Sequence, residues 1–149
     1  AMPKSYIEKY DLPHIGLSRD AVVSGAFHSE NYETLPPAYW GRIPLLLLSS
    51  GNNLNTRTME LFRENNVMPN VLLEIQQLVT AYHLAINGLG ATFTTEFIIS
   101  KNLDLDMVYF KLDSPLTIRE FQFIMNKKGY ISKAARKFME MTKVYYNNV

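Results

Sequence analysis

Side chains that could bind a small polar molecule cluster directly after a short apolar run near the middle of the chain. The run is four consecutive leucines, and the five residues that follow it are Ser49, Ser50, Gly51, Asn52 and Asn53. Four leucines bounded by turn residues are typical of a strand that is buried on both faces of a parallel sheet. Asn52 or Asn53 is a suitable N-cap for a following helix. Hydroxyl groups beside the amides of a helix N-terminus favour binding of a small anion or a polar ligand.

Two further clusters occupy equivalent places at the ends of the next two predicted strands. Gln76 follows a strand over 70–75, and the third strand leads into Thr92, Phe93 and Thr94. The carboxyl ends of parallel strands meet at one edge of a sheet, where open α/β sheets bind their ligands. We therefore predict that these residues and 49–53 form one ligand site, although each cluster alone also fits a simple cap.

The chain offers no catalytic or metal-binding pattern. Its histidines, His14, His28 and His83, are far apart, and it has no cysteine for a disulfide, a thiolate zinc site or a nucleophile. The aspartates between 104 and 113 fit a solvated turn better than an acid/base pair, because no nucleophile lies near them in sequence. We expect no metal, no cofactor and no enzymatic activity.

Composition and charge limit the partners. The chain has 149 residues, of which 47% are hydrophobic, and its 15 Lys and Arg against 14 Asp and Glu give a formal charge of +1. This length suits one domain or two small lobes. The balanced charge predicts neither a nucleic-acid nor a membrane partner. The four leucines are far short of the roughly 18 apolar residues of a spanning helix, and no secretory signal is visible, so we expect a cytoplasmic protein.

The C-terminal part of the chain is basic. Six Lys and Arg residues lie between 127 and 143. A nucleic-acid patch is one interpretation of this block. The solvated face of an amphipathic helix is favoured, because Glu140 interrupts the block and no aromatic platform interleaves with it.

The centre of the chain alternates strands and helices. Strands are predicted over 45–48, 71–74 and 91–93, with helices over 54–64 and 77–87 between them. Met59 and Phe62 are expected to face inward from the first helix, and the second carries an apolar stripe from Leu78 to Leu89. Gly88 is placed to end that helix in a left-handed conformation. The predicted fold class is α/β, a doubly wound and mostly parallel sheet.

The flanking segments are less regular. A short helix is plausible from Ser18, strands are predicted over 107–110 and 119–126, and Ser132 is expected to cap a terminal helix. Ile131, Ala135, Phe138 and Tyr145 share one face of that helix. We place the division between two parts of the chain at 102/103.

An ordered series of segments over residues 43–142 resembles one family. The segments 43–47, 57–62, 67–71 and 84–93, with the tail 119–124 and 131–138, are similar to the effector-binding domain of LysR-type transcriptional regulators. The stretch 84–93, which reads LAINGLGATF, carries the resemblance most clearly.

The resemblance implies a two-lobed, periplasmic-binding-protein-like α/β domain that senses a small-molecule inducer in the cleft between its lobes. Residues 1–102 would be the second lobe and 103–149 a return to an incomplete first lobe, with crossovers at 2–4 and 98–105. These residues include no counterpart of the family's DNA-binding helix-turn-helix. We expect no specific binding of duplex DNA by this chain alone.

The resemblance also implies roles for the predicted site and an assembly. Ser50 and Asn52 would donate to a polar group of the inducer, Gln76 would lie at a helix start, and Phe93 would give apolar contact. Family members dimerise through these domains, so we expect a homodimer with part of 103–149 in its interface. The alternative function is a stand-alone periplasmic-binding-like solute receptor.

Overall fold

Strand β2 (Leu45–Leu48) is the centre of the fold. It lies between β3 (Val71–Ile75) and β4 (Ala91–Thr92) and is parallel to both. Its four leucines are each at most 5% exposed. Successive side chains of a strand point to opposite faces, so both faces of this sheet must be covered. The three predicted strands are confirmed, with β3 extending to Ile75 and β4 ending at Thr92.

Helices cover the two faces of the central strand β2. Leu61 and Phe62 of α3 (Asn53–Glu64) pack in one cluster with the first and third leucines of β2. Ala81, Tyr82 and Ala85 of α4 (Leu78–Ile86) pack with the second and fourth leucines in another cluster. The short helices α1 (Tyr6–Lys9) and α2 (Pro37–Trp40) add to the first cluster. The central residues therefore form a mixed α/β arrangement with a small parallel sheet.

The computed structural model describes residues 1–13, 32–95, 98–99, 106–118, 122–126 and 128–147. It comprises two compact units, 1–118 and 119–149. Three features of the sequence analysis lie outside the described residues: the helix predicted from Ser18, the histidines His14 and His28, and the 102/103 division. The predictions that concern them stay predictions. Among the described residues, no helix is long and apolar enough to cross a membrane.

The ends of the central helices follow the local sequence. The side-chain oxygen of Asn52 accepts a hydrogen bond from the Leu54 amide at 2.8 Å, which confirms an asparagine N-cap. At the end of α4, Gly88 has φ +83° and its amide donates to the Ala85 carbonyl at 2.9 Å. The next amide, of Leu89, donates to Leu84 at 3.1 Å. These two bonds form the Schellman motif that a left-handed glycine permits.

Two residues predicted to face the core are on the surface. Met59 and Leu89 are 40% and 43% exposed. Met59 follows the buried Thr58, and one residue along a helix is a rotation of about 100°, which turns its side chain away from the sheet. Leu89 lies beyond the end of α4, where the helical stripe no longer applies.

A second, two-stranded sheet joins the beginning of the chain to a later segment. Strand β1 (Met2–Pro3) pairs antiparallel with β5 (Met107–Val108), and the Lys4 amide donates to the Asp106 carbonyl at 2.8 Å. The predicted strand 107–110 is therefore shorter than expected. Beyond it, the Lys111 amide donates to the Glu33 carbonyl at 2.9 Å, so the N-terminal segment covers this part of the chain.

The 119–149 unit contains α5 (Lys133–Asn147). The Ser132 hydroxyl accepts from the Ala135 amide at 3.1 Å, which confirms the predicted cap. The strand predicted over 119–126 is wrong where it is described, since 122–126 form no strand. The ring of Phe123 instead packs edge-on against Phe138, with 6.2 Å between the ring centres.

Truncation of the central strand should unfold the protein more readily than the same truncation at the sheet edge. Leu46 is 1% exposed, and Leu46→Ala should lower the free energy of unfolding by about 3 kcal/mol. The matched control Leu72→Ala, at an exposed position on β3, should cost less than about 1 kcal/mol. Urea unfolding followed by circular dichroism measures both, and equal losses would contradict β2 as the centre of the core.

Candidate functional site

The carboxyl edge of the parallel sheet is built by one tight turn. The Ser49 amide donates to the Ile75 carbonyl at 2.9 Å, which ties the end of β2 to the end of β3. Gly51 has φ +90°, a conformation that favours glycine, and the Asn52 amide donates to the Ser49 carbonyl at 3.3 Å. The N-terminus of α3 therefore lies directly beside the ends of two strands.

A shallow depression lies between the end of β2, α3 and β4, and its interior has no room for a water molecule. Its lining residues are Leu46, Leu47, Leu48, Leu54, Asn55, Thr58, Thr92 and Phe93. Pockets that enclose a small organic ligand usually measure about 300–1,000 Å³. The depression therefore does not enclose a ligand, and its residues could contact only a molecule that lies over its mouth.

Two of the nine predicted site residues line the depression, and the others lie elsewhere. Thr92 and Phe93 line it together with Leu54, Asn55 and Thr58 of α3. The remaining residues do not line it: Ser49, Ser50, Gly51, Asn52, Asn53, Gln76 and Thr94. Ser50, Gly51, Asn53 and Gln76 are exposed. They remain open to a ligand that extends beyond the depression along the edge.

Sequence reasoning missed two polar residues of α3. The side-chain amide of Asn55 donates to the Leu48 carbonyl at the end of β2, and Thr58 is buried. The two are three residues apart and so share the helix face that carries Leu61. The sequence feature that could have identified them is the presence of polar side chains on an otherwise apolar helix face.

Thr92, which ends β4, and Thr94, which follows it, differ in how their hydroxyls are used. The Thr92 hydroxyl donates to the carbonyls of Leu46 and Phe93 at 3.2 and 3.3 Å, so it already serves the fold. The Thr94 hydroxyl oxygen is buried and has no hydrogen-bond partner among the described residues. A buried hydroxyl without a partner costs free energy and is a group that a ligand can satisfy.

The electrostatics of the depression are those of neutral groups. No charged side chain lines it. The first turn of α3 places the positive end of a helix dipole at the carboxyl edge. Neutral hydroxyl and amide groups beside leucines and Phe93 suit a ligand with one polar or anionic group on an apolar body.

The amino group of Ala1 is buried beside the same strand. It donates to the Thr92 carbonyl at 2.8 Å, and the Thr92 amide donates back to the Ala1 carbonyl at 2.8 Å. Burial lowers the pKa of this amine from 8.0 to about 5.

Removal of the two threonine hydroxyls should have opposite effects on stability. Thr92→Val breaks the bond to the Leu46 carbonyl and should cost about 1 kcal/mol of the free energy of unfolding. Thr94→Val replaces an unpartnered polar atom by a methyl group and should be neutral or stabilising. Thermal and urea unfolding of the two variants decide this, and a larger loss in Thr94→Val would show that its hydroxyl is bonded.

A comparison with protein families matches residues 18–145 to the LysR substrate-binding domain. No curated protein and no solved structure matches the chain. Domains of this family have a periplasmic-binding-protein-like α/β fold and bind regulatory ligands of LysR-type transcription regulators. The resemblance predicted from residues 43–142 is thereby confirmed, and the chain belongs to the LysR substrate-binding domain family.

Proposed function

We propose that this chain is the effector-sensing and oligomerising part of a LysR-type transcriptional regulator. The family match over 18–145 carries the proposal. Its effector is a small molecule that binds at the carboxyl edge of the parallel sheet. Binding changes how the two lobes of the domain close on each other and so alters the geometry of the dimer. The protein acts in the cytoplasm.

The proposed role of each site residue follows from the groups of its side chain that the fold has not already bonded. Ser50 is exposed and has its hydroxyl available for a polar group of the effector. Asn52 uses its side-chain oxygen on the Leu54 amide, so its side-chain NH₂ is the group left to donate. Phe93 lines the depression and gives apolar contact, and the buried hydroxyl of Thr94 adds one hydrogen bond. Gln76 lies one residue before the N-cap of α4.

The proposed cleft has two walls, and the described edge supplies one of them. The depression at this edge has no interior room for an effector, which agrees with a cleft that needs a second wall. Residues 1–102 are proposed as the second lobe and 103–149 as the return to the first. The antiparallel pairing of β1 with β5 supports this division, because it places two passes of the chain side by side, as a double crossover requires.

The homodimer belongs to the same proposal. Part of residues 103–149 lies in its interface. Support comes from α5, whose Phe138, Met141 and Tyr145 are all more than half exposed in the single chain. Folded proteins rarely leave such an apolar stripe uncovered.

An NMR titration of the ¹⁵N-labelled chain tests the site. The probes are small organic compounds with one carboxylate, hydroxyl or amide group on an apolar body. Amide signals of 49–53 and 92–95 should shift, while those of 133–147 should not. Ser50→Leu and Thr94→Val should weaken binding of any hit about tenfold or more, and Met59→Ala, an exposed position outside the depression, should leave it unchanged.

One result of this titration would contradict the proposed site. A compound that binds with the same affinity to Ser50→Leu, Thr94→Val and the unmodified chain binds elsewhere. The regulatory part has a separate test, the gene sequence upstream of the codon for Ala1. A helix-turn-helix in the same reading frame is expected there, and an export signal in its place would favour a transport receptor.

A further inference from the structure

One dipeptide at the end of α4 has a covalent chemistry of its own. Asn87-Gly88 is the only place in the sequence where an asparagine precedes a glycine. In such a pair the backbone nitrogen of the glycine can attack the side-chain amide carbon of the asparagine, because glycine has no Cβ to hinder the approach.

The reaction is a deamidation that consumes only water. The attack forms a bond between Cγ of Asn87 and the nitrogen of Gly88, which closes a five-membered succinimide ring. The bond from Cγ to the side-chain nitrogen breaks, and the proton of the Gly88 amide passes through water to that nitrogen, which leaves as ammonia. Water then opens the ring at one of its two carbonyls and leaves aspartate or isoaspartate.

The fold engages both groups that this reaction needs. The Gly88 amide, which must lose its proton to attack, donates to the Ala85 carbonyl at 2.9 Å. The side-chain nitrogen of Asn87, which must leave, donates to the His83 carbonyl at 2.8 Å. All four residues belong to the 1–118 unit, so these bonds are internal to it.

Ring closure also needs a backbone conformation that differs from the folded one. The ring contains Cβ of Asn87 and the nitrogen of Gly88, so these two atoms must nearly eclipse each other about the Cα–C bond. Asn87 has ψ 12°, which eclipses the Gly88 nitrogen with the backbone nitrogen of Asn87 instead. Cβ is then about 120° away around that bond, as tetrahedral geometry requires. The peptide between the two residues must therefore turn before the ring can close.

The products do not fit the closed end of α4. A carboxylate at position 87 cannot donate to the His83 carbonyl, and its charge lies at the negative end of the helix dipole. Isoaspartate adds a methylene group to the backbone, which displaces the amides of Gly88 and Leu89 that form the Schellman motif. The turn is therefore weaker after the reaction than before it.

We propose that Asn87 is a deamidation site that the fold controls. The asparagine stays intact while the last turn of α4 is closed and cyclises when that turn opens. This helix covers one face of β2 with Ala81, Tyr82 and Ala85, each 0% exposed. Reaction at position 87 therefore marks chains in which the end of this cover has opened, and it makes further opening more frequent. The proposal depends neither on the effector site nor on the homodimer.

Mass spectrometry of the full chain, incubated in buffer and in concentrated urea and then digested, tests the site. Deamidation replaces an NH₂ group by OH at position 87. Asn87 should react first among the asparagines of the unfolded chain, and the folded chain should react there at least about tenfold more slowly. Asn87→Gln is the chemical control, since its longer side chain would have to close a six-membered ring, and it should not react at this position.

A substitution inside α4 tests whether its last turn controls the reaction. Ala85→Gly loosens this turn without altering the Asn87-Gly88 pair, so it should raise the deamidation rate of the folded chain about fivefold. Ala135→Gly makes the same change in α5, in the other unit, and is the matched control. It should leave the rate at position 87 unchanged.

Hydrogen exchange separates local opening of this turn from unfolding of the whole unit. Exchange and cyclisation both need release of the Gly88 amide, so the factor by which folding slows deamidation should equal the protection factor of that amide. It should be smaller than the protection factor of the Leu45 amide, which is bonded to the Asn70 carbonyl within the sheet. Asn87→Asp, which introduces the carboxylate of the product, should speed exchange at Gly88 about threefold.

Four results would overturn the proposal. Absence of reaction at position 87 in urea would remove the site, and equal rates in the folded and unfolded chains would remove its control by the fold. An unchanged rate in Ala85→Gly would reject the last turn of α4 as the controlling element. Slowing that matches the Leu45 amide instead of the Gly88 amide would assign the reaction to unfolding of the whole unit. None of these results bears on the effector site.

Discussion

Burial of β2 on both faces is the constraint on which the rest of the central fold depends. Its leucines alternate between two apolar clusters, one completed by α3 and the other by α4. A strand in this position needs a neighbour on each side and a helix on each face, so the chain returns twice by short connections. The close fit extends to Gly90, where an added Cβ would lie 2.9 Å from Leu46 Cγ. Glycine at that position lets β4 approach the central strand.

The same constraint bears on where the proposed effector site lies. With both faces of β2 covered, the end of this strand is the part that still offers polar groups. The turn after β2 and the residues after β4 therefore hold the hydroxyls and amides, while the apolar floor of the depression comes from the leucines themselves. The Thr92 hydroxyl is bonded to the Leu46 carbonyl and so helps to hold the edge together. The Thr94 hydroxyl is buried without a described partner, so it is the group that the proposed effector could bond.

The features that sequence predicts well here are local. The asparagine cap of α3, the glycine after α4 and the serine cap of α5 each depend on a few neighbouring residues. Placement of side chains in space depends on distant partners, and there the predictions were right for Phe62 and wrong for Met59 and Leu89. Alternation near Phe123 suggested a strand, but alternation forms a strand only beside another strand, and the ring of Phe123 packs against a helix instead. Asn55 and Thr58 were missed because their importance comes from where they lie in space, beside the ends of β2 and β4.

The helices that begin at the carboxyl edge also hold the chain where it leaves the sheet. The Arg57 guanidinium of α3 donates to the carbonyls of Leu116 and Ile118 at 3.4 and 2.9 Å, at the end of the 1–118 unit. The Tyr82 hydroxyl of α4 lies 2.7 Å from that of Tyr109, which directly follows β5. Hydrogen bonds to a charged group and between buried hydroxyls are among the stronger polar links in a fold. These bonds tie both helices to the segments near Ile118 and Tyr109. In the proposed function, a shift of either helix on effector binding would be carried to those segments.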